Sequence, residues 1–335
     1  MKALVTTPDG LDVVDHPDPR PGPGEAVVAV RSCGICGSDV HMVEAGLPPP
    51  GQILGHEFAG TVAELGPGVR EPRVGTPVAV NPLGGCGSCA RCRGRVPLLC
   101  GAVPNLGLNA PGGFAEYAAV PVPQLFALPD GMAVRDGAHV EPLAVAVRAV
   151  EEARPAPGDD ALVFGLGPIG LSVVLALRAY GAGKIVAVGR SPGRRAAASL
   201  VGADVVLDGR ETSVARYAAD AGLAFAAAYE CSGDSQALLA CIATVEVCGT
   251  IVELALGRPP ASFDMVGFVT KGLRLLSVCA YAGEEFGRAL DLVGSGAVNA
   301  DPLVSERIPL AEVPAAFERL RAPGHLVGIT VEPWR

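Results

Sequence analysis

The chain has 335 residues, half of them hydrophobic, with a formal net charge of −9 and ten cysteines. That length predicts about two domains at ~100–200 residues each, and the acidic balance excludes a phosphate backbone as a partner. No apolar run approaches the ~18–20 residues of a membrane span, and the opening MKALVTTPDG does not read as a signal peptide. Abundant cysteine without a secretory signal then predicts a cytoplasmic protein whose thiols ligate metal or stay free.

Residues 1–130 read as strand and turn. AVVAVRS (26–32), GTVAEL (60–65) and PVAVNP (77–82) are short apolar runs split by Pro and Gly, the pattern of a compact, mostly β domain. Within it lie SCGICGSDVH, carrying Cys36, and ILGHEFAG, carrying His56 and Glu57; Glu141 follows later in HVEPLAV. Cys, His and carboxylate are ligands suited to a catalytic zinc, and three of them leave a coordination position open. Taken singly, each has a plainer reading as a core thiol or a surface carboxylate.

Cys86, Cys89, Cys92 and Cys100 form C-x2-C-x2-C-x7-C. Four thiolates this close in sequence close a tetrahedral shell around one zinc ion, with no position left for chemistry. Two disulfides or an iron–sulfur cluster are the competing readings. Arg91, Arg93 and Arg95 in the same loop are three arginines of a solvated face. Cys33, Cys231, Cys241, Cys248 and Cys279 sit mostly in apolar runs and are expected to be buried free thiols.

The stretch 133–153 carries helix formers with few breakers. From 161 onward strands alternate with helices: ALVFGLG, a helix through 168–180, KIVAVGR, a helix through 192–201, ADVVLD, AAAYECSG, a helix through 234–243, then GTIVELAL. This alternation predicts βαβ units and a parallel sheet. Gly165, Gly167 and Gly170 make a G-x-G-x-x-G between a strand and a helix, the context that marks a dinucleotide fingerprint. The glycines allow the tight turn, the approach of a pyrophosphate and close helix–strand packing. The ribose reader belongs ~20 residues on. There the chain has Gly189 and Arg190, with no carboxylate, and Ser191, Arg194 and Arg195 beside them. These favour a 2′-phosphate, hence NADP over NAD; the alternative is a solvated helix start. After about 285 the alternation fades, and HLVGITVEP is strand-like.

GICGSDVH, GHEFAGTVAELG, the four-cysteine run, GGFAEYAAVP, VEPLAVAV, VFGLGPIGL and YECSG together resemble the zinc-dependent medium-chain dehydrogenases/reductases, closest to the polyol, butanediol and threonine dehydrogenase branch. The resemblance implies an α/β architecture: a GroES-like, mostly β catalytic domain over 1–150, to which 286–335 returns, and a Rossmann domain with a doubly wound parallel sheet over 151–285. It implies zinc ligation by Cys36 and His56, with Glu57 and Glu141 binding directly, through water or alternately. Ser38 and His41 match proton-relay positions. Cofactor contacts are expected at Gly165, Gly167, Pro168, Ile169, Gly170, Gly189, Arg190, Ser191, Arg194, Arg195 and Cys231. The implied activity is interconversion of a secondary alcohol (polyol, diol or amino-alcohol, including aminocyclitols) and its ketone with NAD(P), two zinc ions per subunit, and a homodimer or homotetramer. The rivals are a zinc-independent alkene or quinone reductase and a non-catalytic nucleotide-binding zinc protein. Arg148 departs from the branch, where butanediol-type relatives often carry His, which leaves the substrate open.

Overall fold

The computed structural model describes residues 1–255, 260–321 and 324–335. Glu25–Gly34 is buried along most of its length, as a central strand must be. It pairs antiparallel with Glu57–Leu65, Tyr117–Pro121 and the late strand Ile329–Val331. Glu306–Ile308, Pro77–Val80 and Leu125–Ala127 complete this seven-stranded sheet. The last strands therefore close on the first part of the chain, and Trp334 Nε1 donates to the Val30 carbonyl at 2.7 Å.

The second sheet has six parallel strands: β1 (Ala161–Phe164), β2 (Ile185–Gly189), β3 (Val205–Asp208), β4 (Phe225–Glu230), β5 (Val245–Glu253) and β6 (Arg274–Ser277). Their order is β3-β2-β1-β4-β5-β6, with helices in the connections. β1 and β2 are almost wholly buried, as expected of strands covered on both faces. The order reverses between β1 and β4, and that switch point is where such sheets bind ligands. GTIVELAL matches β5, but its last residue, Leu256, lies outside the described residues.

Two elements depart from the sequence reading. Gly37–Glu44 is a helix, although its glycine-rich entry reads as a turn; Cys36 caps it, with its N–H bonded to Asp39 Oδ2 at 3.1 Å. The 133–153 stretch splits into a 3-10 turn, Val134–His139, and a helix, Val140–Ala153, that places Glu141 in its first turn. No helix among the described residues is long and apolar enough to cross a membrane.

Candidate active site

Strand pairing brings the first cluster together. Gly34, at the end of its strand, lies opposite Glu57. A Cβ at Gly34 would stand 2.1 Å from Glu57 Oε2, so only glycine admits that carboxylate. Ligand atoms of Cys36, His56 and Glu57 all lie within 4.8 Å of one another. His56 Nδ1 faces Asp39 Oδ1 at 3.2 Å, which leaves Nε2 for a metal and orients the ring. Burial and then the Glu57 carboxylate raise the Cys36 thiol above its ordinary range. Burial and then Glu141 push Glu57 up to about 8. Burial also raises Glu141. The Cys36 thiol and the Glu57 carboxylate both resist ionisation beside one imidazole, and a zinc ion bound there would supply the charge that stabilises thiolate and carboxylate.

The four cysteines form the second cluster. Cys86 and Cys92 Sγ are 3.9 Å apart, as are Cys89 and Cys100 Sγ. Tetrahedral zinc with Zn–S near 2.3 Å requires S···S of about 3.8 Å, whereas a disulfide requires about 2.05 Å; all four are free thiols. Backbone N–H groups of Cys86, Cys89 and Cys92 point at neighbouring sulfurs at 3.4 Å. Hydrogen bonds led by the Ser88 hydroxyl pull Cys86 down to about 6. These contacts favour thiolates at Cys86 and Cys100, whereas burial pushes Cys92 up to about 11. Cys89 caps the helix Ala90–Arg93, which accounts for the C-x2-C spacing.

A cavity of about 1020 Å³ opens at the switch point, over the ends of β1, β2 and β4. Gly165, Gly167, Gly189, Arg190, Ser191, Arg194 and Cys231 line it. Gly165 has φ +95°, and a Cβ there would meet the 231–232 backbone at 2.7 Å. Gly170 admits the Gly165 carbonyl, 1.8 Å from where its Cβ would be, whereas at Gly167, beside the helix N-terminus, a Cβ would meet only Arg194 Nη1, at 3.9 Å. That is the arrangement a pyrophosphate needs. Glu230 is buried and accepts from the Ser232 and Gly233 N–H groups at 2.8 Å, which fixes the loop that follows β4.

The basic segment after β2 is not one clamp. Arg195 pairs with Asp208 at 2.5 Å and stands off the cavity lining. Arg194 Nε donates to the Leu326 carbonyl at 2.8 Å, and Ser191 Oγ to the Gly324 carbonyl at 2.6 Å. Arg190 is mostly exposed, 3.9 Å from Asp234. Nor does Gly189 leave vacant room, since a Cβ there would meet Leu166 Cδ1 at 2.7 Å. Pro168, Ile169 and Gly170 also lie off the lining, because they begin the helix behind it.

Residues 22–130 match the alcohol dehydrogenase GroES-like domain and residues 168–295 the zinc-binding dehydrogenase domain. The chain belongs to the zinc-type alcohol dehydrogenase family. It is 31% identical to D-xylulose reductase A of Aspergillus niger, over 92% of this chain and 90% of that one. The structure of 2R,3R-butanediol dehydrogenase from Bacillus subtilis superposes with a TM-score of 0.89 at 32% identity, covering 99% of both chains. Two further solved relatives, each with a TM-score of 0.92 and 99% coverage of both chains, carry different cofactors. RspB of E. coli CFT073, 27% identical, is bound to NADH, and a Sinorhizobium meliloti protein, 30% identical, to NADP. The chain is thus a zinc-type oxidoreductase that interconverts alcohols and carbonyl compounds with a nicotinamide cofactor.

Several side chains of the site carry no sequence signature. Asp39, behind His56, has no signal in SDVH that sets it apart from a solvated helix-start carboxylate. Arg210 and His325, which line the dinucleotide cavity, and Tyr281, bonded to Glu141, carry no local signature. Arg148 is buried, and its Nη1 donates to the Arg95 carbonyl at 2.5 Å, bracing the four-cysteine loop. Cys33 and Cys241 are buried as expected and Cys231 is half-buried. Cys248 and Cys279 are exposed: Cys248 sits in the exposed, irregular start of β5, with φ +64°, and Cys279 just past β6.

Proposed function

We propose that this dehydrogenase oxidises one secondary hydroxyl of a polyol or diol to the ketone, and the reverse, with NADP. The carrying observation is the donor set Cys36, His56 and Glu57, three protein ligands of mixed S, N and O type that leave a coordination position for substrate oxygen. Zinc held there acts as a Lewis acid toward that oxygen. The protein's own residues do the rest. Asp39 keeps the His56 ring oriented. Ser38, half-buried, and His41, exposed, sit one turn apart on the helix Gly37–Glu44, so a proton taken at the Ser38 hydroxyl has an outlet to solvent at the imidazole. Gly165 and Gly167 admit the dinucleotide, and Arg190 on the cavity wall meets its charge.

We also propose a second zinc at the four cysteines, supported by the 3.9 Å sulfur spacing. The division into 1–150 with 286–335 and 151–285 is supported by the two large sheets, which share no strand. Ten unpaired cysteines support a reducing, cytoplasmic setting. Self-association is supported by the apolar outer edge of the parallel sheet, treated below.

A panel of polyols, diols and aminocyclitols, followed by nicotinamide absorbance, tests the reading. Turnover is expected with a polyol or diol, and Cys36→Ser is expected to abolish it and remove one of two zinc ions while leaving the fold intact. Turnover that survives Cys36→Ser would instead mean the zinc-independent reductase, and no turnover with any substrate the non-catalytic protein.

A further inference from the structure

Glu141 is the one carboxylate of the expected ligand set that stands apart. Ligand atoms of Cys36, His56 and Glu57 gather within 4.8 Å, and Glu141 does not join them. Its Oε1 instead accepts a 2.9 Å hydrogen bond from the Tyr281 hydroxyl. Both side chains are buried, with Tyr281 fully inaccessible. The partners are 140 residues apart in sequence. Glu141 sits in the first turn of the helix Val140–Ala153, and Tyr281 follows β6 of the parallel sheet. The tyrosine ring is fixed from behind: it packs on Phe286 at 5.9 Å between centroids, and Phe286 packs on Phe126 at 4.8 Å. The hydroxyl therefore cannot follow Glu141 if the carboxylate moves.

A buried carboxylate needs a donor or a cation. Around Glu141 two candidates compete, the anchored hydroxyl and whatever cation Cys36, His56 and Glu57 hold. We propose that Tyr281 is a positioning residue: it holds Glu141 out of the zinc coordination shell and so keeps the substrate's position open. The inference rests on the zinc-dehydrogenase reading above. With the hydroxyl gone, the cation is the remaining partner, and Glu141 becomes a fourth protein ligand. A four-ligand shell is the closed, structural kind of zinc site. The unusual consequence is opposite signs: the metal is held longer while the reaction slows.

The test measures zinc release to a chromogenic chelator, following the phase that is absent in Cys36→Ser. Tyr281→Phe is expected to slow this phase and to lower kcat, each by about 10–100-fold, the range typical of residues that support a metal ligand. Glu141→Gln provides a second arm that does not depend on the tyrosine variant folding. Its amide oxygen still accepts from Tyr281 but ligates zinc poorly, so Glu141→Gln and the double variant Tyr281→Phe/Glu141→Gln are expected to release zinc at the native rate. Unchanged or faster release from Tyr281→Phe overturns the inference, and so does faster release from Glu141→Gln, which would make Glu141 a native ligand. A native protein with no Cys36-dependent zinc phase overturns the zinc-centre reading and this inference with it, an outcome distinct from the other two.

Discussion

At the scale of single residues, the cofactor question narrows to Arg190. Arg195 is committed to Asp208, and Arg194 and Ser191 to carbonyls of the 324–326 segment. Arg190 alone in that segment has a largely exposed guanidinium on the cavity wall. One charge-assisted hydrogen bond contributes about 1.5–3 kcal/mol, so Arg190→Ala should raise KM for NADP about tenfold or more and leave KM for NAD nearly unchanged. Steady-state kinetics with both cofactors decides it; an unmodified enzyme that uses NAD as well as NADP returns Arg190 to a solvated face. A second residue carries a pH dependence. Burial, then the charge of Glu230 and a hydrogen bond to it, push Glu253 up to about 8. The folded state therefore holds a proton that the unfolded chain releases near its ordinary 4.5. The native state loses stability as pH rises from there to about 8. Glu253→Gln removes that loss. Its Tm should match the native protein's near pH 4.5 and exceed it at pH 8, and a Tm difference independent of pH would show that Glu253 titrates normally.

At the scale of elements, the four-cysteine lobe is tied to the helices beside it. Arg95, with φ +59°, pairs with the fully buried Glu285 of the helix Gly283–Gly294 and offers its carbonyl to Arg148 of the helix Val140–Ala153. Arg148→Met keeps the bulk and removes the donor, leaving that carbonyl unsatisfied at a cost of about 1–3 kcal/mol. Thermal or urea unfolding should show the loss, with KM for the alcohol unchanged; a changed KM at native stability would place Arg148 in the substrate site after all. The same lobe shows what sequence can and cannot carry. Four cysteines read as one metal site because a short loop leaves them nowhere else to go. Cys36, His56 and Glu57 read as a second because their ligand chemistry matched a known family arrangement. β1, β2 and β4 were legible because buried parallel strands are continuous apolar runs between turns. β6 was not: Arg274–Ser277 is four residues long and mostly exposed, so it has no periodicity to detect. Nor could sequence show that Leu166 fills the space at Gly189, that Asp208 occupies Arg195, or that Tyr281 meets Glu141. Each of those depends on tertiary packing between segments far apart in the chain.

At the scale of the whole molecule, the parallel sheet stops on one side at β6, with no strand beyond it among the described residues. β6 ends the strand order among the described residues, and its outer N–H and C=O groups face away from β5. Such an edge is a template for pairing with another strand. Around it the surface is apolar where solvent would favour charge. Val247, Val266 and Val269 are 67%, 72% and 67% exposed, and Met265 and Leu275 are 60% and 41% exposed. A second copy related by a two-fold axis satisfies both needs together, since β6 would meet its own equivalent and the apolar side chains would meet each other. A stable interface of this kind buries about 1,200–2,000 Å² in total, with an apolar centre. The native protein should therefore sediment as a dimer or a larger even-numbered assembly. Leu275→Asp places a carboxylate on β6 itself, where the strand would meet its own copy across the axis, and should shift the protein to monomer at micromolar concentration while metal content stays the same. Sedimentation velocity on both proteins is the check. A native chain that is monomeric, or a Leu275→Asp variant with unchanged mass, would mean that this edge is not where subunits meet.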